Sequence, residues 1–214
     1  GIDALGIRGP FDLMGYHTGS MISVALALHA SDRVRRVVMV SAPIFPLEER
    51  TQFHAYYGHR APEADGSHLV RRWKGFVYHY LRPGTTLEQI ADQFPDALLG
   101  RSIEWWGHHA AFDYDLAGSL ARVAQPVLIL NTGDDMDIQT RRAEGLAANG
   151  HILEVPGWGH GFLDAHTDDV AGLVRAFLDA GDEAPFAGVA VPPSAAGPRY
   201  PERVGSFAPA VEDK

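Results

Sequence analysis

The sequence contains no cysteine in 214 residues, which excludes a disulfide scaffold, a thiol nucleophile and any Cys-ligated metal. It has no apolar run of about 18 residues, the length a membrane-spanning helix needs. Positive charge is scarce: 18 Lys and Arg stand against 27 Asp and Glu, a net charge of −9. That balance argues against a nucleic-acid binder, whose affinity comes from neutralising phosphates. The residues after Gly1 form neither a signal peptide nor a tag. What is present is ordinary for a folded chain, with 46% apolar and 21% charged residues. A chain of this length buries about 70% of its unfolded surface, enough for a substantial core.

Hydrophobic patterning divides the chain into four parts. Residues 1–43 read as α/β core: a short strand at 11–16, a helix from Thr18 to about Ala30, and a β-branched strand from Val34 to Ser41. Residues 44–122 are rich in aromatics, histidine and charge at helical spacing, and read as a helical insertion. Residues 123–180 return to core. A strand runs from Val127 to Leu130, a helix from Thr140 to Ala148 is stopped by Asn149-Gly150, a strand runs from His151 to Val155, and a last helix from Val170 to Leu178. Residues 181–214 carry six prolines with little periodicity and read as a Pro-rich flexible tail. Strands alternating with helices predict an α/β fold with a parallel sheet, whose ligands bind beyond the carboxyl ends of the strands. Three groups of polar residues fall there: His17, Asp134 with Asp135, and His160.

Gly15-Tyr16-His17-Thr18-Gly19 lies between a strand and a helix and has the Gly-x-nucleophile-x-Gly spacing of a nucleophile elbow. With an acid after a later strand and a histidine after the last, the chain resembles the α/β-hydrolase family over about residues 1–180. The resemblance implies the C-terminal part of that fold, with 44–122 as its cap or lid. It implies His160, in Gly157-Trp158-Gly159-His160-Gly161-Phe162, as the catalytic base, and Asp135 as the acid that orients it. Asp134 competes for the acid role, because the family's Gly-x-x-Asp spacing lands on Met136. The backbone N–H of Thr18 matches an oxyanion-hole donor.

Two departures stand beside these matches. The nucleophile position holds His17, where the family has Ser, Asp or Cys; the imidazole is either an unusual nucleophile or a group that lines the pocket and positions water. Ser20, on the first turn of the helix, is expected to point its hydroxyl away from the pocket. In addition, only Gly1 to Pro10 precede the elbow strand, where the family has its first strands and its second oxyanion donor. The chain is therefore expected to be a fragment, or to be completed at its exposed sheet edge by an N-terminal polypeptide or a second copy of itself.

No cofactor is implied, and histidine spacing argues against a metal. His54, His59 and His68 are too far apart for one helical turn, His108 and His109 are adjacent, and no H-x-x-x-H pair occurs. Asp113 and Asp115 read as ordinary loop acids or a helix N-cap, and Arg33, Arg35 and Arg36 as surface or strand-edge charges. The cap aromatics Trp73, Phe76, Tyr78, Tyr80, Trp105 and Trp106 divide between the cap's own core and the wall of a pocket for a small apolar substrate. The expected function is hydrolysis of an ester, amide or similar bond, in the cytoplasm. The alternatives are a His–Asp lyase or cofactor-free oxygenase, and a ligand-binding homologue without catalysis.

Overall fold

A computed structural model of the protein describes residues 2–81 and 84–197. Its centre is a four-stranded sheet in the order β1 (Phe11–Tyr16), β2 (Val34–Val40), β3 (Val127–Asn131), β4 (Gly150–Glu154), with every pairing parallel. The chain order of helices is α1 (Thr18–His29), then α2 (Leu47–Tyr56), α3 (Ser67–Tyr80), α4 (Leu87–Ala97), α5 (Trp105–Asp113) and α6 (Leu116–Leu120) between β2 and β3. There follow α7 (Asp137–Arg141) between β3 and β4, then α8 (Phe162–Ala165) and α9 (Thr167–Leu178).

The central strands are continuous apolar runs because both of their faces are covered. Val37, Met39, Val127 and Ile129 pack with α1 residues Met21 and Val24 and with Leu116 and Leu120 on one side. Val38, Val40, Leu128 and Leu130 pack with Trp158, Phe162, Leu173 and Phe177 on the other. The period-two alternation of a strand thus supplies two cores, and each fully buried aliphatic side chain contributes about 1.5–3 kcal/mol. Leu116 and Leu120, read from sequence as part of the insertion, belong to the first of these cores.

The register brings the carboxyl ends of the strands level. Tyr16 pairs with Val40, Val40 with Leu130, and Leu130 with Leu153. The loops that leave these ends therefore open at one height, with His17 N–H donating to the Val40 carbonyl (2.9 Å) and Ser41 N–H to that of Leu130 (3.0 Å). β1 pairs with β2 alone among the described residues and leaves Met14 45% exposed.

Three sequence expectations need correcting. The helix expected over 140–148 is instead the short α7, because the chain turns after Arg142 and Gly145 adopts a left-handed φ of 70°. Arg36 is not a surface charge. It is 1% exposed and its guanidinium reaches past the sheet to the end of α9, bonding the carbonyls of Phe177 and Ala180 and the carboxylate of Asp182. Those carbonyls are unpaired at a helix end, where a cation is favoured. Residues 181–197 pack rather than hang loose. Phe186 stacks on Phe177, Trp158 Nε1–H donates to Ser194 Oγ (3.0 Å), and Gly157 N–H to the carbonyl of Ala195 (3.1 Å). The rest of the expected tail, 198–214, lies outside the described residues. Of the two readings open for Asp115, loop acid or N-cap, the structure shows the second: it caps α6, accepting from Gly118 N–H (3.0 Å).

The insertion is anchored to the core by Glu49 on α2. Its carboxylate accepts two hydrogen bonds from Arg142 (2.8 and 2.6 Å) and one from Gln139 (3.3 Å). The Arg142 hydrogen bonds, against the opposing effect of burial, hold Glu49 below its ordinary value of 4.5. A carboxylate lowered by folding stabilises the fold above its unfolded value, and the contribution disappears as pH falls through the lowered one. Glu49→Gln is therefore expected to cost about 1 kcal/mol at pH 7. The gap between variant and parent should close as the pH falls below about 4.5. Urea unfolding of both proteins across pH 3–7 checks this.

Candidate active site

The turn from β1 to α1 is built on Gly15. A Cβ there would overlap the backbone carbonyl of Gly19 and the amide of Ser20, so the first turn of α1 crosses the strand end with no space for a side chain. At Gly19 a Cβ meets nothing within 4 Å, so of the two glycines in the Gly-x-x-x-Gly spacing the first alone answers a steric need. Ser20 Oγ is fully buried and donates to the carbonyls of Gly15 (2.9 Å) and Val40 (3.0 Å), which ties the helix to both strands and turns the hydroxyl away from solvent. Between them His17 has φ 47° and ψ −108°, a strained conformation that a β-branched residue would resist.

His17 Nε2 lies 2.8 Å from Asp134 Oδ2. The same oxygen accepts from Ser41 Oγ (2.9 Å), and the other carboxylate oxygen accepts from Met136 N–H (2.9 Å). Ser41 is the second non-glycine residue with a positive φ among the described residues, 62°, at the end of β2. The Asp134 carboxylate is sealed from solvent. Burial would raise it, yet the charge and hydrogen bond of His17, then His160 and the Met136 amide, hold it well below the usual carboxylate range. For His17 burial acts downward, but the charge and hydrogen bond of Asp134, aided by Asp135, outweigh it and raise the imidazole above its ordinary 6.5. Each group thus favours the charged form of the other, across a contact that is buried on the Asp134 side and partly open on the His17 side.

Asp135 turns the other way. Its Oδ1 is 3.3 Å from His160 Nε2, and its Oδ2 is 3.6 Å from His79 Nδ1 on α3. His160 is brought there because Gly159 N–H donates to the carbonyl of Thr132 (2.7 Å), joining the loops after β3 and β4. Trp158, 1% exposed and stacked on Phe162, holds the second loop against the core. His160 is itself buried, and its Nδ1 makes no hydrogen bond. Burial pushes it down to about 4 against the pull of Asp135 and Asp134, with His17 and His79 adding to the fall. The rings of His17 and His160 stand edge to face, 5.1 Å apart.

The structure thus brings together His17, Asp134, Asp135 and His160, four side chains from three loops, and separates the two aspartates between the two imidazoles. Thr18 opens α1, so its N–H is one of the helix's unpaired first-turn donors beside His17. Two contributors escaped the sequence reading. Ser41 is an unremarkable serine at a strand end, and the signal that marks it is a positive φ, which no sequence pattern displays. His79 comes from the insertion and meets Asp135 only after folding.

A cleft of about 220 Å³ lies beside the site, between the insertion and α8; among the described residues its wall includes none of His17, Asp134, Asp135 and His160. Tyr80, whose ring is 5.4 Å from that of His160, and Gly161 lie on its wall with Thr85, Gln89, Ile90 and Asp164. Of the cap aromatics, Trp73 and Phe76 both pack on Phe94 inside the insertion, and Trp106 is 57% exposed. Tyr80 is the one that reaches both the cleft and His160.

The architecture, a parallel sheet flanked by helices with a helical insertion over the carboxyl ends of its strands, is that of the α/β-hydrolases. Comparison with known proteins agrees. A hydrolase from Pseudomonas aeruginosa superimposes with a TM-score of 0.65 at 22% identity, over 84% of this chain and 68% of that one. A bromoperoxidase from Bacillus anthracis gives 0.63 at 16% identity, over 84% and 70%. In sequence the chain is 21% identical to a bifunctional esterase/perhydrolase from Acinetobacter calcoaceticus, over 83% of this chain and 70% of that protein. No protein-family model matches. Among the described residues no helix is long and apolar enough to cross a membrane.

Proposed function

We propose that the chain hydrolyses an ester, amide or similar bond of a small molecule, with water rather than a side chain as the attacking group. The observation that carries this is the division of labour between the two aspartates. Asp135 Oδ1 lies 3.3 Å from His160 Nε2, a contact without a hydrogen bond, and its negative charge favours the proton on that nitrogen, which leaves the lone pair on Nδ1. A buried imidazole that stays neutral is able to take a proton from water. Asp134 meanwhile occupies Nε2 of His17, the atom that would otherwise attack. His17 in its charged form is then an electrostatic partner for the oxyanion, beside the N–H of Thr18 at the start of α1. The likeness to an esterase supports the choice of bond. The cleft beside Tyr80 holds a small substrate, and Thr85, Gln89 and Asp164 add polar contacts to the apolar character expected from the cap aromatics.

His17→Ser separates this reading from the competing ones. If water attacks, the variant loses a cation beside Asp134, and turnover of a nitrophenyl ester should fall about tenfold or more. A rise in turnover with a burst of product would instead mean that the site is a serine-hydrolase frame awaiting its nucleophile. Absence of turnover in both proteins, with ligand binding retained, would favour the binding homologue.

A further inference from the structure

Among the described residues, one group of imidazole nitrogens and carboxylate oxygens converges closely: His17, Asp134, Asp135 and His160 each present a donor atom, with all four within 4.8 Å of one another. We propose that these four side chains form a binding site for one divalent transition-metal ion, Zn²⁺ foremost.

Geometry and charge both support the inference, which does not rest on the hydrolytic reading. Two ligands held at about 2.0–2.2 Å from a tetrahedral ion are about 3.3–3.6 Å apart. A spacing of 4.8 Å in the quartet therefore closes by about 1.2–1.5 Å when an ion binds, a movement that side-chain rotation supplies. The donors are drawn together already without an ion. Asp135 Oδ1 is sealed from solvent without a hydrogen bond and faces His160 Nε2 at 3.3 Å. His160, whose side chain is 6% exposed, has its other nitrogen unpartnered as well. Buried polar atoms left unpaired are costly, and coordination is one way to satisfy them. Two carboxylates beside two imidazoles carry a charge of −2 once His17 gives up its proton to the incoming ion, and one divalent cation cancels it. Mixed imidazole and carboxylate donors favour a borderline transition ion over Ca²⁺ or Mg²⁺, which prefer oxygen alone. A second layer is in place too: Ser41 Oγ and Met136 N–H bond Asp134, and His79 stands beside Asp135.

The histidine spacing that argued against a metal in the sequence concerned donors on one helix. Here they come from three loops, with His17 and Asp134 separated by 117 positions. An ion in this site engages His160, so on any one molecule it excludes the metal-free base catalysis proposed above, and the two readings are tested separately.

Titration calorimetry of chelator-treated protein with Zn²⁺ is the test, with zinc content after dialysis as a second readout. One equivalent should bind the parent, and His17→Ala or Asp135→Asn should weaken binding at least about tenfold. A variant lacking the cap pair His54 and His109, whose rings lie 4.2 Å apart, should bind as the parent does. Thermal melts confirm that each variant is folded, and Asp135→Asn keeps the side chain's size where His17→Ala proves unstable. Loss of binding in the cap variant with retention in the quartet variants would overturn the proposal, as would no binding by the parent. Hydrolysis by the chelated protein reports on the proposed function alone.

Discussion

Alanine at Gly15 is expected to destabilise the protein by on the order of 4 kcal/mol, the largest effect of any single substitution considered. The reason is local and steric. The added methyl group would collide with main-chain atoms of Gly19 and Ser20, which cannot rotate away as a side chain could. The only relief is to move α1 off the strand end, and that breaks the two hydrogen bonds by which Ser20 ties the helix to Gly15 and Val40. Gly19→Ala is the matched control. Its Cβ points into open space on the first turn of a helix, so the substitution should be neutral or stabilise by up to about 1 kcal/mol. Thermal melts of the two variants should differ by on the order of 10 °C. Equal melting temperatures would mean that the crossing of β1 and α1 is looser than described.

Replacing His160 by alanine is expected to lower ester hydrolysis by about 10²–10⁴-fold, the usual contribution of a positioned general base. The residue is buried and stands between Asp135 and the ring of His17, so the loss should appear in kcat, with KM little changed. Asp135→Asn should show a smaller fall in the same direction, because it removes the negative charge that faces His160 Nε2. His59, exposed in the insertion, provides a control whose alanine variant should retain parental activity. Steady-state kinetics on a nitrophenyl ester reads all three. Undiminished hydrolysis in His160→Ala would remove His160 from the mechanism.

How much of this was legible beforehand depended on whether the cause was local. Val34 to Val40 and Val127 to Asn131 announce themselves as buried parallel strands because covering both faces demands an unbroken apolar run. Gly15 marks the turn because a backbone crossing leaves a glycine in the sequence. The polar residues just beyond the strand ends could be singled out because topology alone puts them on one edge of the sheet. Which aspartate faces which histidine could not be read, since Asp134 and Asp135 are neighbours and the choice depends on how the turn after β3 rotates. The Asp134 carboxylate that accepts Met136 N–H sets that rotation. Long-range partners were equally hidden. Arg36 looks like any strand-edge charge until α9, more than 140 positions later, presents its carbonyls. Ser41 and His79 similarly acquire meaning only from Asp134 and Asp135.

If water activated by His160 attacks the substrate, His17 remains unmodified throughout turnover. Intact-mass analysis of the protein, quenched in acid during turnover of a nitrophenyl ester, tests it most directly. Steady release of product from protein of unchanged mass is the expected result. An acyl group carried on His17 during turnover, or the absence of product altogether, would contradict it.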